Sequence, residues 1–183
     1  MKVQSPKSKV QSPRSLARER AFIALGSNLG DARRNVLRAV DKLKEFSDEP
    51  LACSSLWQTR PVDCPPGSAW FVNAVVGLAP RAGTTPISLL SELQEIEKEY
   101  GRQPKKVLNE PRPLDLDLIA FGEHRCATSK LTVPHPRAHE RRFVLQPLCE
   151  IAPDLILPGQ SETVAQLLAK LPEDEGMSKI EAP

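Results

Sequence analysis

The stretch Pro111-Arg112-Pro113-Leu114-Asp115-Leu116-Asp117-Leu118-Ile119-Ala120-Phe121-Gly122 decides how this chain is read. Leu114, Leu116 and Leu118 alternate with Asp115 and Asp117, the period-two pattern of a half-buried β-strand. Successive strand side chains point to opposite faces, so the leucines enter a core while both aspartates emerge together. Residues two apart on a strand stand roughly 6.5–7 Å apart at Cα. Carboxylates at that spacing converge on one cation or on two neighbouring ones. Pro111 and Pro113 keep the approach extended and present Arg112 just before the acids. Alone, an Asp-x-Asp pair on a strand reads as a solvated face. Here the acids interrupt an apolar run, Arg112 adjoins them, and a segment rich in arginine and histidine follows at 135–143. That combination points to metal-assisted handling of phosphate.

Upstream, residues 86–100 carry the clearest helical signal. Thr85 is placed to cap it, Pro86 suits its first position, Ile87, Leu90, Leu93 and Ile96 mark its faces, and Gly101 stops it. Gln94 and Glu97 share a face near its C-terminal end. A polar, basic loop over 102–110 then feeds the acidic strand. Earlier still, residues 21–26 read as a buried strand. The turn Gly26-Ser27-Asn28-Leu29-Gly30-Asp31 leads from it into a helix that reaches about Phe46, with Asp31 as cap. That turn lacks phosphate-loop spacing and reads as a tight strand-to-helix connection. Residues 51–58 and 71–78 read as two more strands, joined by a proline-rich loop over 59–68 placed to act as a lid. Asn73 interrupts the second of them. An amide at a pocket mouth suits a heterocycle edge, because it donates and accepts side by side.

Downstream, residues 123–133 read as a short hairpin. His135 and His139 have a metal-like spacing, but Pro136 and three nearby arginines favour anion binding. Helices follow at 144–151 and 164–171, then an acidic, frayed tail from Pro172. The element order β-α-β-β-α-β with additions predicts an α+β fold: a ferredoxin-like core with an added hairpin and C-terminal helices.

The chain has 183 residues, enough for one domain with a real core, and an ordinary globular share of charged residues. Residues 1–19 repeat a Val-Gln-Ser-Pro unit, carry most of the basic surplus and read as a disordered tail. The tail and Arg20 together hold six basic residues against Glu19, so the formal charge of +2 leaves the remainder mildly acidic. A mildly acidic domain with 4% aromatics argues against a nucleic-acid partner. No apolar run approaches a membrane span. Four scattered cysteines with no Cys-x-x-Cys read as free thiols in a reducing, cytoplasmic compartment. The domain expected is a monomer over 20–172, with 173–183 flexible.

Four blocks together resemble the 6-hydroxymethyl-7,8-dihydropterin pyrophosphokinase family. They are Gly26-Ser27-Asn28-Leu29-Gly30, Asn73-Ala74-Val75-Val76, Pro111 to Asp117, and Leu131-Thr132-Val133-Pro134-His135. The resemblance runs in order from about Ala21 to Leu171. It implies transfer of diphosphate from ATP to the pterin hydroxymethyl group, releasing AMP. It further implies two magnesium ions on Asp115 and Asp117, and Arg102 and Arg112 neutralising charge on the transferred group. Gln94, Glu97, His135 and Arg141 would contact ATP. Phe71 and Phe143 would sandwich the pterin, while Thr59, Pro61, Val62 and Asn73 line its polar edge. The chain departs from the family pattern at Leu108, Asn109, Glu110 and Pro136. A noncatalytic pterin- or nucleotide-binding module on the same fold is the rival from another class.

Overall fold

The computed structural model describes residues 20–102 and 110–181. The expected basic tail, 1–19, and positions 103–109 of the polar loop lie outside the described residues. In chain order the elements are β1 (Ala21–Ser27), α1 (Ala32–Leu43), β2 (Ala52–Cys53), β3 (Trp57–Thr59), β4 (Phe71–Leu78), α2 (Pro86–Glu99) and β5 (Asp115–Phe121). A hairpin of β6 (Cys126–Ala127) and β7 (Thr132–Val133) follows, then α3 (Arg142–Ile151), α4 (Val164–Lys170) and β8 (Met177–Lys179).

The most apolar strands take the middle of the sheet, where both faces are covered. β1 and β4 pair antiparallel, and β5 pairs with the other side of β1. The sheet runs β5-β1-β4-β3-β8, with β2 also on β4. β5, β1, β4 and β3 with α1 and α2 form the ferredoxin-like core; the hairpin, α3, α4 and β8 are additions. Ile23, Leu25, Leu114, Leu116 and Leu118 pack beneath α1 and α2 against Val36, Leu43, Leu89 and Leu93. The opposite face buries Phe22, Val75, Ile119 and Ala120 against Val144, Leu145 and Leu148 of α3 and Leu167 of α4.

A bulge sets the two faces of β5. Phe22 pairs with Ala120 but Ile23 pairs with Leu118, which leaves Ile119 as the extra residue. Before the bulge the leucines face α1 and α2, and Asp115 and Asp117 face the α3 side.

The helix ends follow local chemistry. The Asp31 carboxylate accepts the Arg34 N–H at 3.0 Å, and Thr85 and Ser88 form a reciprocal capping box. Gly101, at φ 82°, turns the chain out of α2. The expected helix to Phe46 ends instead at Leu43, followed by a 3₁₀ turn over Lys44–Phe46.

The strand expected over 51–58 is two short pieces. Ser54 N donates to Val75 O, but Val75 N donates to the Ser54 hydroxyl. A side-chain oxygen thus replaces a ladder carbonyl and interrupts the strand. The tail from Pro172 is not frayed throughout: β8 pairs antiparallel with β3. Among the described residues no helix is long and apolar enough to cross a membrane.

Candidate active site

Register places the site. Gly26 on β1 lies between Asp115 of β5 and Asn73 of β4, and Asn73 lies opposite Trp57 of β3. One position along, Ala24 lies between Asp117 and Val75. On this face β1 therefore offers only a hydrogen and a methyl group. The result is a trough with the acid pair on one side and the amide on the other. A Cβ added at Gly26 would stand 3.0 Å from Asn73 Oδ1, so the glycine is required by the close approach.

Three acids and three arginines meet at the β5 side. Arg102 Nη1 bridges Glu97 Oε1 and, at 2.7 Å, Asp115 Oδ1. Arg112 Nη1 lies 3.4 Å from Asp115 Oδ2. Arg141 Nη1 approaches Asp117 Oδ2 at 3.9 Å, the loosest of these pairs. Glu97 is buried and turns inward, where its carboxylate accepts the Leu116 N–H at 2.7 Å. Burial pushes its carboxyl up to about 7, against the pull of the Leu116 N–H and Arg102. Burial also raises Asp117, and the neighbouring Asp115 adds to the rise. Burial lowers His135 while Asp117 pulls it back up. His135 Nδ1 accepts the Arg137 N–H at 3.2 Å.

Arg112 is held by a clamp that sequence reasoning took for a plain turn. Asn28 N donates to Arg112 O at 3.2 Å, and Arg112 N donates to Asn28 Oδ1 at 2.9 Å. Ser27 Oγ and Asn35 Nδ2 both donate to Pro113 O. Asn28 is 4% exposed and also reaches Ala69 O through Nδ2. The readable signal was Ser-Asn directly after a glycine-ended strand. Arg112 Nε is buried without a hydrogen-bond partner among the described residues. A buried guanidinium donor left unpaired is costly unless a ligand completes it.

On the β3 and β4 side, Asn73 Nδ2 donates to Thr59 Oγ1 at 2.7 Å, and both residues are buried. Asn73 Oδ1 is left beside Gly26. The Arg112 guanidinium lies 5.8 Å from the Phe71 ring, and that of Arg141 lies 5.6 Å from Phe143. Each of these arginines therefore lies against one aromatic ring and one acid. Pro61 and the 53%-exposed Val62 stand on the loop over 60–68. Gln94 stands exposed on α2, one turn before Glu97 and outside the ion-paired group.

The donor set suits a hard cation. Asp115 and Asp117 offer only oxygens, share one face and remain partly open, at 22% and 42% side-chain exposure. Among the described residues no group of three or more His, Cys, Asp or Glu forms a closed metal cage. A cation here would need a ligand's oxygens to complete its shell, which is how magnesium is held at phosphate sites.

Residues 22–153 match the family model described as 7,8-dihydro-6-hydroxymethylpterin-pyrophosphokinase (HPPK). The 2-amino-4-hydroxy-6-hydroxymethyldihydropteridine pyrophosphokinase of Pseudomonas aeruginosa is 38% identical over 163 residues, 88% of this chain and 97% of that one. The Folic acid synthesis protein fol1 of Pneumocystis carinii is 37% identical over 163 residues, but this chain spans only 21% of its length. A crystal structure of a Plasmodium falciparum HPPK-DHPS variant superposes with a TM-score of 0.69 at 15% identity. It covers 89% of this chain and 49% of that one, a likeness of fold.

Proposed function

This chain belongs to the 7,8-dihydro-6-hydroxymethylpterin-pyrophosphokinase family, and from that membership we infer that it transfers diphosphate from ATP to 6-hydroxymethyl-7,8-dihydropterin in folate biosynthesis. The hydroxymethyl oxygen attacks the β-phosphorus, the bond between the α,β-bridging oxygen and that phosphorus breaks, and AMP leaves. The observation that carries the assignment to this trough is the acid pair facing the buried Asn73–Thr59 pair across Gly26. It supports a phosphate end and a heterocycle end within one cleft.

Asp115 and Asp117 would hold magnesium, which supplies charge neutralisation for the triphosphate. Two ions would offset the roughly four negative charges that ATP adds. Arg102 and Arg112 would face the phosphate oxygens, where their forks match the charge being transferred. Glu97 would position Arg102 there. His135 and Arg141 take the remaining phosphate contacts, and Gln94 lies along the nucleotide.

The pterin stacks between Phe71 and Phe143, and Asn73 Oδ1 with the main chain near Thr59, Pro61 and Val62 reads its polar edge. The four free cysteines support a reducing, cytoplasmic setting.

Product analysis tests the activity. With both substrates and magnesium, AMP forms in step with pterin diphosphate. ADP in place of AMP would contradict diphosphate transfer, and binding without turnover would favour the noncatalytic module. A chain starting at Arg20 gives the same rates if residues 1–19 stand outside the domain; a large loss would make them part of it.

A further inference from the structure

The C-terminal segment crosses the open edge of the heterocycle end, and its contacts fall on both walls of the pocket. Along one wall, β8 pairs with β3: Met177 lies opposite Thr59, Ser178 opposite Gln58 and Lys179 opposite Trp57. The pairing extends at both ends, with Arg60 N donating to Gly176 O at 3.1 Å and Ile180 N donating to Leu56 O at 2.8 Å. The Arg60 side chain packs closely on Gly176. A Cβ there would stand 2.5–2.7 Å from Arg60 Cδ, Cγ and Nε, so any larger residue must displace the Arg60 side chain. The same guanidinium lies 5.6 Å from the ring of Trp70, the residue before Phe71.

The other wall is the start of α3. Arg142, which precedes Phe143, donates through Nη1 to Leu171 O and Pro172 O, each at 3.1 Å. The far end of α3 is tied in as well. Glu150 accepts Ser55 N at 2.6 Å, and Lys179 Nζ lies 3.2 Å from its other oxygen. Beside these contacts, Arg60, Glu140, Arg142 and residues 171–176 line an open depression of about 300 Å³.

A three-residue strand exposed on its outer side buries little apolar area, so its contribution to global stability is small. Its connections run along β3 from Leu56 to Arg60 and across to Arg142 and Glu150, and of these Thr59, Arg60 and Arg142 lie in the heterocycle half or next to it. Thr59 is the partner that orients the Asn73 amide. We propose that the segment over 171–180 is a clasp that positions the two walls of the pterin pocket, with Arg60, Gly176 and Arg142 as positioning residues that set pterin affinity and leave ATP binding alone. This rests on the pterin site assigned above.

The test compares the full chain, a chain ending at Pro172, and Gly176→Val, each assayed for kcat and for the KM of pterin and ATP separately. Thr59→Ala and Phe143→Ala run alongside. The clasp predicts a pterin KM raised about tenfold or more in both altered chains, with ATP KM held within about twofold. Should the truncated chain fail to fold, Gly176→Val decides, because it keeps the whole segment and disturbs only the Arg60 contact. Pterin KM unchanged in the clasp variants but raised in Thr59→Ala and Phe143→Ala overturns the clasp alone. No rise in those two overturns the pterin site and the clasp with it. Equal rises in both KM values mean that the segment only supports the fold, which also overturns the proposal.

Discussion

Glu97 shows how one residue can serve the site and cost stability. It sits in the polar half of α2, yet its carboxylate is buried on the Leu116 N–H and on Arg102. Its ordinary value of 4.5 applies in the unfolded chain, and about 7 applies in the fold. Between those values the folded chain binds more protons than the unfolded one, so stability falls as pH rises from 4.5 to 7. The stabilising protonated form is fully present below the lower value and lost through the upper one. Glu97→Gln keeps the acceptor for Leu116 and removes that slope. Denaturant unfolding at pH 5 and pH 7.5 is expected to show the variant gaining on the wild type at the higher pH, by on the order of 2 kcal/mol. Turnover of the variant should fall, because Arg102 loses its anchor. An unchanged pH slope would mean that Glu97 is ionised throughout. Residue scale is also where the sequence was least legible. Helical spacing put Glu97 beside Gln94 on one face, but only the tertiary fold turned Glu97 inward and left Gln94 outside.

At the scale of elements, the connection after β1 and the approach to β5 form one unit. Asn28 is bonded to Arg112 in both directions along the main chain, while Ser27 and Asn35 secure Pro113. This unit fixes where Arg112 leaves the backbone, and if Arg112 has the role proposed for it, displacing it costs rate more than affinity. Asn28→Ala removes two buried hydrogen bonds and should cost about 1–3 kcal/mol of stability. It should lower kcat about tenfold or more while ATP KM changes little, a split that steady-state kinetics reads directly. A higher ATP KM at unchanged kcat would assign Asn28 to nucleotide binding instead. The elements themselves were largely legible. Alternation gave β5, the Thr85–Pro86 cap gave α2, and the Asp31 cap gave α1. The Ser54 interruption was not, because a hydroxyl can replace a carbonyl without changing the apolar pattern. β8 was not either, since its three residues acquire meaning only beside the open edge of β3.

At the scale of the molecule, the fold separates support from chemistry by sheet face. One face buries the leucines of β5 under α1 and α2; truncating one of these to alanine would cost about 2–5 kcal/mol and leave the acid geometry without a base. The other face is covered in part by α3 and α4 and left open where Gly26, Asn73, Asp115 and Asp117 meet. In that open part Arg102 and Arg112 pair with Asp115, and Arg141 approaches Asp117. The ferredoxin-like order was readable from the succession of elements, because short connections and two helical crossovers leave few alternatives. The added helices were readable as helices, but their place over the second face was not.

The most direct test of the central claim is a magnesium titration of AMP formation, run with the wild type and Asp117→Ala side by side. Arg102, Arg112 and the pterin end stay intact in that variant. The account predicts magnesium-dependent AMP from the wild type, none above background from Asp117→Ala at any magnesium concentration, and unchanged far-UV circular dichroism in both. Normal turnover by Asp117→Ala would contradict the assignment of the acid pair to the metal.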